Sequence, residues 1–242
     1  MHQCCHCTDI YKINTIAAMR KFDELMQASP WAARLSPAER ARVAAETITR
    51  DCPVGALACR KGEPVDAWIG VVDGLLKMSN VSAEGKPTSF VGVATGSWFG
   101  EGSLLKDEPR RYDMVALRAS RIAYVPRVTF MWLLDTSMPF NRFVITLLNE
   151  RLAQFIGMVE HDRLLGPDAR LARCLASMFN SHLYPGIGPV LPISQDEIAQ
   201  LVGLSRQRTN QALQRLEQAG LLRLEYGSIT VTDLPGLRAF ED

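Results

Sequence analysis

No stretch of this 242-residue sequence approaches the roughly 18 consecutive apolar residues that a bilayer-spanning helix requires. The first residues also lack the basic, apolar and small-residue order of a secretory leader, so the expectation is a cytoplasmic protein with no membrane partner. Net charge is nearly absent as well: 27 basic against 26 acidic side chains leave +1. Bulk electrostatics announces neither nucleic acid nor membrane, and any such surface must be local. Reaction chemistry is equally sparse. There is no phosphate loop, no nucleophile elbow and no recognisable acid-base pair, and His2, His6, His161 and His182 fall in arm, helix and loop contexts without an evident partner. An enzyme is not expected. Cys52, Cys59 and Cys174 are scattered through apolar or strand-like surroundings, which fits small reduced thiols better than a disulfide framework.

What is present falls into distinct textures. Residues 1–30 read as an N-terminal arm. Ser36-Pro37 with Glu39 in the following turn predicts one short helix. From there to Pro126, glycines at 55, 62, 70, 74, 85, 92, 96, 100 and 102 separate short apolar segments, the pattern of an antiparallel roll or barrel. The texture then changes to a helix from about Ser137 to Leu165, with Gly157 in its interior. Along it Ile145, Leu148, Leu152, Phe155 and Val159 follow a three, four, three, four spacing, the seam of a coiled coil and hence a dimer interface. Phe140, Val144, Leu147 and Ile156 form an adjoining stripe. Gly166-Pro167 breaks the helix and opens a second helical domain.

That domain contains "ISQDEIAQLVGLSRQRTNQALQRLEQAG", residues 193–220. Ser194 with Glu197 makes a capping box, and Ile198, Leu201 and Val202 supply the apolar face of a first short helix. Gly203 suits the left-handed residue that ends it, and Ser205 can cap a second helix with Thr209, Ala212, Leu213 and Leu216 turned inward. No acid occurs from Gly203 to Arg215, although solvated helix faces usually mix both signs. Arg206, Gln207, Arg208, Asn210, Gln211 and Gln214 are forked donors and acceptors suited to base edges in a major groove and to nearby phosphates. A helix-turn-helix accounts for all of this, and "GLLRLEYGSITVTDL" adds two short strands as a wing.

From about Leu35 to Leu234 the sequence resembles the Crp/Fnr family of bacterial transcription regulators, through the roll glycines with "FGEGSLL", the long helix and "ISQDEIAQLVGLSRQRTNQALQRLE". The resemblance implies an α+β chain: a cyclic-nucleotide-binding-like β-roll of double-stranded jelly-roll type at residues 31–135, a dimerisation helix at 136–165, and a winged helix-turn-helix at 166–242. It further implies a homodimer reading a palindromic operator in double-stranded DNA, an activator's contact with RNA polymerase, and a small effector that acts through the roll. Arg206, Gln207 and Asn210, with Gln211 close by, would read bases, while Ser194 and Ser205 serve capping or phosphate roles.

Members that bind cyclic AMP carry a Gly-Glu pair and, ten residues on, an arginine. Gly100-Glu101 and Arg111 match. The glutamate would accept a ribose hydroxyl, the arginine would pair with phosphate, and the amides near Gly102 and Ser103 would supply an anion site. Tyr112-Asp113 replaces the usual small hydroxyl residue and alanine, with Asp113 expected to pair with Arg111. Phe155-Ile156 stands where those members have the Thr-Ser pair that contacts the purine. Cyclic nucleotide is therefore disfavoured, and another effector, or none, is the expectation. The arm "MHQCCHC" offers a further alternative, a metal or redox site on Cys4, Cys5 and Cys7 with His2 and His6.

Overall fold

The computed structural model describes residues 22–82, 85, 87–185 and 187–242. Cys4, Cys5 and Cys7, with His2 and His6, lie outside the described residues. A helical segment at 22–28 leads into α1 (Pro37–Glu46), then β1 (Ile48–Cys52), β2 (Leu57–Cys59), β3 (Ala67–Asp73), β4 (Leu75–Val81), β5 (Pro87–Ala94) and β6 (Trp98–Phe99). Next come α2 (Glu101–Lys106), β7 (Asp113–Ala116), β8 (Ser120–Pro126), α3 (Arg127–Thr136) and α4 (Met138–Leu164). The C-terminal unit comprises α5 (Pro167–Ser177), β9 (Val190–Leu191), α6 (Gln195–Val202), α7 (Arg206–Gln218), β10 (Leu222–Glu225), β11 (Ser228–Val231) and α8 (Leu234–Ala239).

The roll consists of two antiparallel sheets, ordered β1-β8-β3-β6 and β2-β7-β4-β5. Alternation along β3 explains how one strand serves two cores. Ile69 and Val71 point between the sheets, where they meet Leu76, Met78, Val93 and Met114. Trp68 and Val72 point the other way, against the helices. On that side Trp68 stacks on Trp98 at 4.3 Å between ring centroids, and Trp31 lies 5.1 Å from each. Phe140 from α4 closes the cluster at 5.6 Å from both Trp31 and Trp68. The partner of Trp98 across the β3-β6 ladder is Gly70, and a Cβ there would lie 2.8 Å from the indole ring. Glycine at this position makes room for the stack.

The boundary drawn at residue 30 is corrected by this packing. Phe22, Leu25 and Met26 are buried in the same core as Trp31, and Ser29 Oγ accepts a hydrogen bond from Trp98 Nε1 at 3.1 Å. The sequence of this short amphipathic segment gave no indication of which surface would cover its apolar face. Helix α1 starts as expected, with the capping box of Ser36 and Glu39 and Pro37 in its first turn.

Helix α4 buries Phe140, Phe143, Val144, Leu147 and Arg151 along one stripe. Of the seam expected from the sequence, Ile145, Leu148, Leu152 and Val159 are exposed. Phe155 is not on that seam. It is half-buried against the inter-sheet core, and Ile156 takes its place on the open stripe at 59% exposure. The drift of a 3.6-residue turn against a 3.5-residue repeat, about 20° per heptad, turns later positions of a strict seam progressively off one face.

The C-terminal unit has its own core of Leu171, Leu175, Ile198, Leu213, Leu216, Leu222 and Ile229, flanked by the sheet β10-β11-β9. It is docked on the roll. Arg118 forks onto Glu197 of α6 at 2.9 and 2.6 Å, Lys77 reaches Gln200 at 3.1 Å, and Tyr184 Oη donates to the Gly92 carbonyl at 3.0 Å. Leu75 of β4 is part of the C-terminal core.

Removing the central indole tests the assignment of residues 22–35 to the roll. Trp31→Ala should destabilise the protein by about 3–5 kcal/mol in urea unfolding, whereas Val54→Ala at an exposed site should stay within about 0.5 kcal/mol.

Candidate nucleic-acid interface and effector pocket

The helix-turn-helix is built as its local chemistry dictates. Ser194 Oγ accepts from the Glu197 amide at 3.3 Å, and Glu197 accepts from the Ser194 amide at 2.6 Å. Gly203 ends α6 with φ at +70°, and Leu204 folds back onto the core. Ser205 Oγ accepts from the Arg208 amide at 3.2 Å and starts α7. Ser194 and Ser205 thus both act as caps.

Along α7, Thr209, Ala212, Leu213 and Leu216 are buried. Arg206, Gln207, Gln211 and Gln214 are exposed on the other side. Arg206 lies 3.2 Å from Asp196, both side chains well exposed. Such a solvated pair is weak and readily exchanged for a phosphate or a base edge. Asn210 is half-buried, with Oδ1 buried and unpartnered.

Arg208 departs from the outward group in which the sequence pattern placed it. Its Nη2 lies 2.5 Å from Asp168, whose other oxygen meets Arg215 Nη1 at 2.5 Å. Asp168 is fully buried near the start of α5, where an uncompensated carboxylate would be costly. Residues 208 and 215 are two helical turns apart, so both reach it from one face. That spacing, together with an acid in the first turn after the break, was the signal available in the sequence.

The roll cassette follows the expected backbone but not the expected pairing. Gly100 takes φ +94° at the start of α2, and an added Cβ would stand 3.0 Å from Arg110 Nη1. Glu101 is buried, and its Oε1 accepts from Arg151 Nε of α4 at 3.2 Å. Arg151 Nη2 also donates to the Trp98 carbonyl. Sequence reasoning missed Arg151. It continues the inward stripe of Phe140, Val144 and Leu147, and an arginine there needs a buried acceptor.

Arg111 is 68% exposed and forks onto Glu108 at 2.8 and 2.7 Å. Charged hydrogen bonds from Arg111 and then Lys106 hold the Glu108 carboxyl at about 2. The expected Arg111–Asp113 pair does not form. Asp113 opens β7 and accepts instead from the Lys61 amide at 2.7 Å, because it faces the neighbouring strand's loop. Tyr112 is held neutral, since burial and then the Glu101 charge push its hydroxyl up. A cavity of about 550 Å³ is bounded by Glu101, Gly102, Ser103, Arg111, Tyr112 and Phe155 among others. The sequence placed Ile156 there, but it stands on the open stripe of α4 instead.

Burial disfavours the thiolate at each of the three described cysteines. Burial pushes Cys59 up to about 11 and Cys174 up to about 12. Among the described residues no three metal-ligating side chains converge, and no helix is long and apolar enough to cross a membrane.

Comparison with known proteins assigns both halves. Residues 49–137 match the cyclic nucleotide-binding domain model, and residues 169–240 match the Crp-like helix-turn-helix domain model. The chain belongs to the Crp/Fnr family of transcription regulators. Among Crp/Fnr relatives, it is 25% identical over 187 residues to a CRP-like cAMP-activated global transcriptional regulator of Mycobacterium tuberculosis, covering 76% of this chain and 83% of the relative. It is 26% identical over 210 residues to the cyclic AMP receptor protein of Thermus thermophilus, covering 86% and 94%. The same architecture occurs in FixK2 from Bradyrhizobium japonicum, with TM-score 0.68 at 16% identity over 81% of this chain and 98% of that one. These relatives are regulators rather than enzymes. The α+β class, the roll, the long helix and the helix-turn-helix expected from the sequence are all found.

The buried pair that distinguishes the cassette can be tested by unfolding. Glu101→Leu should cost about 3–5 kcal/mol in urea, because it strands the Arg151 charge, whereas Glu101→Leu with Arg151→Met should recover most of that loss.

Proposed function

We propose that this Crp/Fnr regulator binds a palindromic operator as a homodimer and answers to a small effector other than cyclic AMP, or to none. The observation that carries the DNA-reading part is the division of α7, with Thr209, Ala212, Leu213 and Leu216 inside and Arg206, Gln207 and Gln211 outside at its N-terminal end. In a helix-turn-helix this end enters the major groove. Arg206 then bonds a guanine edge bidentately, and Gln207 and Gln211 read neighbouring positions, with the half-buried Asn210 beside them. Arg208 acts indirectly, by holding α7 to Asp168.

The open stripe of α4, now Ile145, Leu148, Leu152, Ile156 and Val159, supports a coiled dimer seam with a second copy. Two reading helices related by that seam suit half-sites one turn of DNA apart. Activation through contact with RNA polymerase and a cytoplasmic location complete the reading.

A cyclic nucleotide does not fit the cassette well. Glu101 already accepts from Arg151, and Arg111 is drawn outward to Glu108. Phe155 and Met158 present carbon and sulfur where a purine edge needs hydrogen-bond partners. The relatives from M. tuberculosis and T. thermophilus are cyclic AMP proteins by name, so cyclic AMP is the nucleotide to test against this reading.

Selection from a random duplex pool, with and without cyclic AMP, should return one palindromic consensus independent of the nucleotide. Dependence on cyclic AMP would overturn the effector reading, and a consensus without two-fold symmetry would overturn the palindromic operator. Arg206→Ala should lose about 1–3 kcal/mol of discrimination at one base pair per half-site. Leu152→Glu with Ile156→Glu should give a monomer in sedimentation and abolish binding to the selected operator.

A further inference from the structure

Between the roll, α4 and the C-terminal unit lies a second cavity of about 500 Å³, separate from the cassette. Its apolar wall is formed by Phe90, Met158, Met178, Leu201 and Val202. Arg170 and Arg173 line it from α5, with Arg238 at its rim, against the single carboxylate of Asp162. Arg173 is engaged through Nη1 with the Leu237 carbonyl at 2.6 Å. Arg170 is engaged only loosely, at 3.6 Å from Asp162 through Nη1, and its Nε is buried without a partner. Gln154 also lines the cavity. Its Nε2 donates to Tyr184 at 2.8 Å, and its Oε1 is buried and unpartnered. His161 faces the same space and is kept neutral by burial and then by Arg173.

We propose that this interdomain cavity is a binding site for a small organic anion with an apolar or aromatic body. The anionic group pairs with the part-exposed guanidinium of Arg170, and the body packs on Phe90, Met158 and Val202. The chemistry follows from the lining: net positive charge and unpaired polar atoms at one end, and carbon and sulfur along the wall. Because β5, α4, α5 and α6 all contribute walls, a ligand here touches the roll and the DNA-binding unit at once. By binding the docked arrangement in preference to the undocked one, it shifts the equilibrium towards docking by its difference in affinity for the two. The inference rests on the reading of this chain as a regulator under effector control, and places that control at the domain junction.

Anilinonaphthalene sulfonate, an aromatic sulfonate that fluoresces on entering an apolar site, is a suitable probe for the full-length protein. Saturable binding with a dissociation constant on the order of micromolar is expected. Arg170→Gln should weaken it about tenfold or more, the worth of a charge-assisted hydrogen bond. Gly157→Met should abolish it by filling the space. A side chain is tolerated at that position, because an added Cβ would lie 3.6 Å from the His161 ring and glycine is the poorer helix former. Arg111→Gln, in the cassette, should leave it unchanged. Thermal melting verifies that each variant is folded. Absence of saturable binding, unaltered binding in a folded Gly157→Met variant, or loss confined to Arg111→Gln would overturn the proposal. Operator selection on the unmodified protein decides the regulator reading separately, so either can fail without the other.

Discussion

The ion pair between Arg151 and Glu101 is the constraint to which most of the molecule answers. It joins the middle of α4 to the first residue of α2, two elements 50 positions apart in the chain, inside a core that would otherwise reject either charge. With Arg151 fixed, the rotation of α4 about its axis is fixed. Phe140, Val144 and Leu147 must face the tryptophan cluster, Phe155 and Met158 must face the roll, and Leu148, Leu152 and Ile156 must face out. The composition of the open apolar stripe on α4 is thus a consequence of a contact made on the opposite side of the helix.

A second carboxylate organises the C-terminal unit. Asp168 holds Arg208 and Arg215, while the side chain of Asp242 accepts from the amides of Asp168 and Ala169 at the start of α5. Glu197 performs two tasks at once, closing the capping box of α6 and receiving Arg118 from the roll. Local helix chemistry and domain docking therefore share an atom group. Sliding α6 away from the roll would disturb the helix start as well as an ion pair.

Much of this was legible in the sequence because it depends on short-range rules. The caps at Ser36, Ser194 and Ser205, the left-handed Gly203 and the inward set on α7 depend on neighbours within a few residues. The long helix was read to within a residue or two at each end. What was not legible depends on distant partners. The destination of Asp113 is an amide 52 residues away, and that of Arg208 is an acid 40 residues away across the unit. The burial of Phe22 and Leu25 required knowing which face of the roll is apolar. Arg151 was visible as a residue out of place on an apolar stripe, but its acceptor could be named only once α4 and α2 were seen side by side.

The clamp on Asp168 also bears on how motion crosses this molecule. Helix α7 is tied by two arginines to α5, the helix that begins immediately beyond the break at Leu165-Gly166. While both ion pairs hold, a change of angle at that break that carries α5 also carries the N-terminal end of α7, with Arg206 and Gln207, so the two helices are geared together.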